Sequence, residues 1–210
     1  MPNSDQASTA RRQTEIVGHP PRIGPLDPET CRDEVTAFAT RVIRSDSARL
    51  PVVDVSEFPE FIPTMMRHQK LFELHTALGL FLLGEGSLAA RDRELAILRL
   101  AWLCQAPYAW GEHVFIAQRI GLSSDEIDRI TRGSTAAGWT ELERAILAGV
   151  EELCANAMID DATWAVLARH WNDKQLIEFP ILVGVYQSTA YLQNALRMRL
   201  HTGNEGLTER

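Results

Sequence analysis

From Asp27 onward the chain is punctuated for helices and for nothing else. Asp27 followed by Pro28 has the form of an N-cap with proline at the first helical position, and "ETCRDEVTAFATRVIR" continues with apolar residues three and four apart. Ser123 with Glu126, Thr140 with Glu143 and Asn172 with Gln175 each have capping-box spacing, in which a side-chain oxygen and an acid or amide reciprocally satisfy the free N–H groups of a first turn. Between these marks run "FPEFIPTMMRHQKLFELHTALGLFLL", "LAARDRELAILRLAWLC", "YAWGEHVFIAQRIG" and "QLIEFPILVGVYQSTAYLQNALRMRL", the last expected to bend at Pro180, which lacks the backbone N–H. No stretch alternates apolar and polar residues as a half-buried strand does. The expectation is an all-α, single-domain bundle of about seven to eight helices.

Domain organisation follows from the same pass. A chain of 210 residues, 45% hydrophobic, suffices for one domain with a sizeable core. Residues 1–26, polar and broken by prolines, Gly18 and Gly24, read as a flexible N-terminal arm; 27–202 read as the helical domain and 203–210 as a C-terminal tail. The arm has no apolar run of signal-peptide kind, and no later segment offers enough uncharged apolar residues for a membrane span. A formal net charge of −7 without a Lys/Arg run gives no electrostatic reason to bind nucleic acid or an anionic membrane. The three cysteines, Cys31, Cys104 and Cys154, are too scattered for a disulfide framework or a zinc site, which suits a reducing, cytoplasmic setting.

The chemistry concentrates in residues 94–113. "LAILRLAWLC", residues 95–104, is apolar nearly all round apart from Arg99, and a helix of that kind is buried. Glu94 enters this buried run, and the next helix opens near Pro107 and carries Trp110 and His113 on one face. A carboxylate in one helix of a hairpin and an imidazole in the next can meet, and a carboxylate orients an imidazole and raises its basicity. On the residues alone each has a structural alternative: His113 as a satisfied core histidine, and Glu94 as the partner of Arg91, Arg93 or Arg99. Tyr108, Trp110, Cys104 and Arg99 are the candidate substrate-binding residues, with core packing the alternative for the two aromatics and an inert thiol the alternative for Cys104. His68 and His75, seven apart, lack a third partner at metal-ligand spacing, and no metal site is expected. Tyr186, Gln187, Tyr191 and Asn194 place polar groups along the last helix. Phosphate loops, nucleophile elbows and H-E-x-x-H are absent from the sequence.

Glu94, a helix, "PYAWGEH", then Ala117-x-x-x-Gly121-Leu122 and an acidic helix start resemble the carboxymuconolactone decarboxylase and alkylhydroperoxidase-D superfamily. The resemblance extends over "RHQKLFELHTALGLFLLGEGSLAARDRELAILR" and "DDATWAVLARHWNDKQLIEFPILVGVYQSTAYLQNAL", so it covers roughly residues 58–200. It implies an all-helical, alkylhydroperoxidase-D-like subunit that assembles into trimers or hexamers, with a pocket around the glutamate and the histidine closed partly by neighbouring subunits. It also sets the last helix, with Tyr186, Gln187, Tyr191 and Asn194, near that pocket or at a subunit contact, the latter being the expected role. The departures bear on activity. The peroxidase branch has a C-x-x-C motif where this chain has Ala106 and Ala109, so a sulfenic acid formed on peroxide would find no resolving thiol there. The decarboxylase-like branch commonly reads Y-E-W-x-x-H; Tyr108, Trp110 and His113 are kept, but Ala109 stands in place of the glutamate. Glu112 diverges from His113 on the helix surface and does not replace it.

Three functional classes stand at this point. A cofactor-free lyase or isomerase on a small carboxylated lactone or oxidised aromatic-catabolite acid is expected first, with His113 as the proton-transfer group and Glu94 as its orienting partner. A thiol peroxidase using Cys104 alone with an external thiol is disfavoured. The third is an oligomeric small-molecule-binding scaffold that has lost catalysis, which Ala109 makes plausible.

Overall fold

The computed structural model describes residues 4–27, 31 and 60–210, and among these the regular structure is entirely helical. The elements are α1 (Ser4–Val17), α2 (Phe61–Met65) with a 3-10 turn at Met66–His68, α3 (Gln69–Gly84), α4 (Ala90–Leu103), α5 (Pro107–Arg119), α6 (Ser124–Arg132), α7 (Glu141–Asn156), α8 (Asp161–His170), α9 (Asp173–Leu196) and a 3-10 turn at Gly206–Thr208. No helix among the described residues is long and apolar enough to cross a membrane. The helix expected after Asp27–Pro28 falls largely outside the described residues.

The three capping boxes are formed as the spacing requires, at the starts of α6, α7 and α9. Each fixes a helix start with contacts no more than three residues apart, which is why sequence alone locates them. Helix α9 runs through Pro180 as one element from Asp173 to Leu196.

Helix α4 is the axis of the bundle. Its core residues Leu95, Ala96, Ile97, Leu98, Leu100 and Ala101 are all buried, as a helix apolar on nearly every face requires. It packs against α5, α6, α7 and α9. Gly149 lets α7 approach α9, since a Cβ there would stand 2.9 Å from the Phe179 ring. Charged groups fix the rim of α4. Arg91 bridges Glu126 on α6 and Glu143 on α7, and Arg99 binds Glu151 at 2.8 Å and the carbonyls of Ile130 and Thr131 at 3.0 and 2.8 Å. The loop into α4 hangs on the half-turn of α9: the Glu178 carboxylate accepts the Ser87 N–H at 2.6 Å and the Leu88 N–H at 3.2 Å.

The N-terminal segment differs from expectation, because residues 4–17 form α1. Its helix breakers, Gly18, Pro20 and Pro21, all lie beyond Val17, so the helix itself contains neither glycine nor proline. It docks on the C-terminal segment: Gln13 Nε2 donates to the Glu205 carbonyl at 3.1 Å, and Gln13 Oε1 accepts the Leu207 N–H at 2.7 Å. That segment, residues 203–210, is a strap along α5. Asn204 Nδ2 donates to the Tyr108 carbonyl and to Glu112 Oε1, and Leu207 is 0% exposed. The Trp110 indole donates to the Glu209 carbonyl at 3.0 Å, and the Arg210 guanidinium lies over the Trp102 and Trp110 rings.

Candidate functional site

The hairpin of α4 and α5 turns through residues 104–106, where Gln105 takes φ 47°. The turn is pinned from α9, whose Asn194 Nδ2 donates to the carbonyls of Cys104 at 3.1 Å and Gln105 at 3.3 Å. Pro107 then opens α5, where its missing N–H is no loss. This geometry sets His113 against Glu94.

Glu94 is 0% exposed, His113 is 6% exposed, and His113 Nδ1 lies 2.7 Å from Glu94 Oε2. With Nδ1–H donating to the carboxylate, Nε2 is left as the ring's basic nitrogen. Nε2 makes no hydrogen bond among the described residues. The Tyr186 ring of α9 meets the imidazole edge to face, with centroids 4.9 Å apart at 85°. Burial, with the Glu94 charge adding to it, pushes the Tyr186 hydroxyl well above the usual phenol range, so it remains a protonated donor. Arg93 completes the group, its Nε 3.8 Å from Glu94 Oε1. Both of those atoms are buried without a hydrogen-bond partner.

Of the arginines proposed as partners for Glu94, then, Arg91 and Arg99 are committed elsewhere and only Arg93 is close. The four residues expected to bind substrate share no hydrogen bond, ion pair or ring contact with Glu94 or His113 among the described residues. Arg99 is held by Glu151 and two carbonyls on the α6–α7 side. Trp110 is fully buried, its N–H used by the C-terminal strap. Tyr108 joins a second apolar cluster with Met65, Met66, Phe72 and Met198, between the rings of Phe61 and His201. Cys104 is a free thiol at the hairpin turn, pushed up to about 11 by burial and then by Cys154, which makes it a poor nucleophile. Ala106 and Ala109 are both buried in the core.

The resemblance sets Tyr186 near the pocket or at a subunit contact, and the structure brings its ring against His113. Its approach to His113 joins residues far apart in sequence, and only its spacing of seven from Gln193 hints at a common face. Gln193 is itself 5% exposed with Oε1 lacking a partner. His75, expected to pack, makes a 3.1 Å contact from Nε2 to Thr189 Oγ1. No cluster of three or more potential metal ligands occurs among the described residues.

Residues 69–152 match the sequence model of the carboxymuconolactone decarboxylase family. This segment contains both Glu94 and His113. Among solved structures, the chain is similar to the alkylhydroperoxidase AhpD core of an uncharacterized peroxidase-related protein from Ralstonia eutropha, at TM-score 0.70 and 16% identity over 88% of this chain and 94% of that one. It is similar to an uncharacterized peroxidase-related protein from a Silicibacter species, at TM-score 0.67 and 17% identity over 89% and 96% of the two chains. A cysteine-to-alanine variant of the debrominase Bmp8, in complex with 2,3,4-tribromopyrrole, aligns at TM-score 0.67 and 16% identity over 87% and 93%. At these identities the likeness is one of fold. No curated protein sequence matches the chain.

Proposed function

We propose that this chain, a member of the carboxymuconolactone decarboxylase and alkylhydroperoxidase-D-like superfamily, is a cofactor-independent acid–base lyase acting on a small carboxylated lactone or a related oxidised acid. The observation that carries this reading is the buried Glu94–His113 pair, with Nε2 free of protein partners among the described residues and the Tyr186 ring against the imidazole. A pair held only for packing has no need of a buried carboxylate, because desolvating that charge costs several kcal/mol, of the order found for buried ions generally.

The chemistry follows from what each group can do. A carboxylate on the carbon α to a carbonyl, or on the vinylogous γ-carbon of a conjugated one, leaves as CO2 when its C–C bond breaks and the electron pair moves into the carbonyl to give an enolate. The protonated His113 delivers a proton from Nε2 to the carbon, and Glu94 stabilises the imidazolium through Nδ1. Solvent then restores the proton. Tyr186, kept neutral, has a hydroxyl suited to donate to the enolate oxygen. The debrominase fold relative bound to a tribrominated pyrrole supports the expectation that this fold can house a small planar ring.

Assembly belongs to the same reading. Leu71, Leu74, Leu78 and Phe81 on α3 and Ile177 and Ile181 on α9 are exposed, and such a surface suits contact between copies in a trimer or a multiple of it. Ala109, buried where the decarboxylase-like branch has a glutamate, favours one competing reading, a ligand-binding scaffold without turnover. CO2 release from a panel of carboxylated lactones separates the two: release lost in His113→Gln supports the lyase, whereas saturable binding of those compounds with no release by the wild-type protein supports the scaffold.

A further inference from the structure

Helix α4 carries three arginines, and two of them are spoken for. Arg91 is shared by Glu126 and Glu143, and Arg99 by Glu151 and two backbone carbonyls. Arg93 is different. Its side chain is 12% exposed, yet it makes no hydrogen bond among the described residues, and Nε is buried without a partner. Among the described residues the one carboxylate within 4 Å of it, Glu94, stands 3.8 Å from Nε, beyond hydrogen-bond reach, and is already engaged by His113 through its other oxygen. A guanidinium withdrawn from water needs a counter-charge that accepts its planar donors, and a carboxylate does so two bonds at a time.

We propose that Arg93 is the substrate-recognising residue of the Glu94–His113 site, and that it selects small molecules bearing a carboxylate over uncharged analogues. Glu94 spends one oxygen on His113 and holds the other 3.8 Å from Arg93, so among the described residues Arg93 keeps its hydrogen-bond donors unpaired beside the site. Arg93 and His113 meet the two different oxygens of Glu94, which places the guanidinium one carboxylate away from the imidazole. The inference uses the acid–base reading to locate the site, but recognition is separable from turnover.

The test is binding of benzoate against its neutral isostere benzamide, by calorimetry at constant ionic strength. The wild-type protein is expected to bind benzoate roughly ten- to a hundred-fold more tightly than benzamide, the scale of a charge-assisted hydrogen-bonded pair. Arg93→Gln removes that preference, and Arg93→Lys, which keeps the charge but not the fork, retains part of it. Basic side chains also gather in a groove of about 440 Å³ lined by Arg12, Glu15, His19, Arg22 and Arg197, where Glu15 pairs with Arg12, so Arg197→Gln serves as the control and should leave benzoate binding unchanged. The proposal falls if wild-type protein shows no saturable benzoate binding or no preference over benzamide. It falls equally if Arg93→Gln and Arg93→Lys both bind benzoate within twofold of wild type, or if binding is lost with Arg197 instead. His113→Gln distinguishes the two readings: benzoate binding kept with no wild-type turnover of any lactone sinks the lyase and leaves the anion site, whereas turnover dependent on His113 with benzoate binding indifferent to Arg93 does the reverse.

Discussion

Replacing Gly111 with alanine should loosen the C-terminal strap from the helix that carries His113. A Cβ at position 111 would lie 1.9 Å from Asn204 Oδ1 and 2.5 Å from its Cγ, so the amide has to move. It cannot do so cheaply, because Asn204 Nδ2 donates to the Tyr108 carbonyl at 3.2 Å and to Glu112 at 2.7 Å, while Oδ1 accepts the Gly206 N–H at 2.8 Å. Three such bonds contribute about 2–4 kcal/mol net, and re-exposing the buried Leu207 adds about 2 kcal/mol if the strap detaches fully. Partial detachment puts the expected loss near 3 kcal/mol, a fall in Tm of roughly 6–12 °C for a domain of this size. Thermal unfolding followed by circular dichroism reads this directly, and limited proteolysis should clip the strap. Asn204→Ala removes the obstacle, so adding Gly111→Ala to it should cost well under 1 kcal/mol more. A Gly111→Ala protein within about 0.5 kcal/mol of wild type, or full additivity in the double variant, would refute the steric reasoning.

The exposed stripes on α3 and α9 predict a trimer or a multiple of it by light scattering, and Leu74→Glu should dissociate it; a monomeric wild-type protein at micromolar concentration contradicts the assembly. Cys104, pushed up to about 11, should alkylate at pH 7.5 some hundred-fold or more slowly than an unperturbed thiol, and Cys104→Ser should leave any trace of peroxide consumption unchanged. Three thiols should titrate after denaturation without reductant, and finding one would reveal a disulfide. Glu126 is held at about 2, chiefly by the Ser123 N–H and then by Arg91 against a desolvation cost, and Glu143 is held below its ordinary range although burial opposes this, through the Thr140 N–H and Arg91. Depressed carboxylates stabilise the fold above their unfolded value near 4.5, and that stability is lost as pH falls from there toward about 2; Arg91→Ala should flatten this acid limb, and an unchanged limb would show that the bridge is energetically idle.

What the sequence made legible was local. The capping boxes at Ser123, Thr140 and Asn172 close over three residues, and the burial of α4 follows from its own composition. The pairing of Glu94 with His113 was also within reach, because two consecutive helices joined by a short turn bring such positions together. The aromatic neighbours misled for a physical reason. Tyr108, five residues before His113, is turned by the helix toward another cluster, and Trp110, though on the same face, spends its N–H on the C-terminal strap, whereas Tyr186 reaches the imidazole because α9 packs on α5. Arg99 and Arg93 could not be told apart from spacing, since what separates them is Glu151 bound at 2.8 Å to one and Glu94 standing 3.8 Å from the other. The strap was invisible for the same reason: Asn204 and Glu209 act on Tyr108, Glu112 and Trp110 across most of the chain's second half.

Proton delivery by His113 is tested most directly by decarboxylation of a turned-over carboxylated lactone in D2O, comparing wild type with His113→Gln and Glu94→Gln in proteins shown to be folded. Wild type should place one deuterium stereospecifically on the product carbon that receives the proton, His113→Gln should lose turnover, and Glu94→Gln should slow it by roughly a hundred-fold or more, the scale of general acid–base contributions. Near-normal rates with stereospecific labelling in both variants would contradict the role given to the pair.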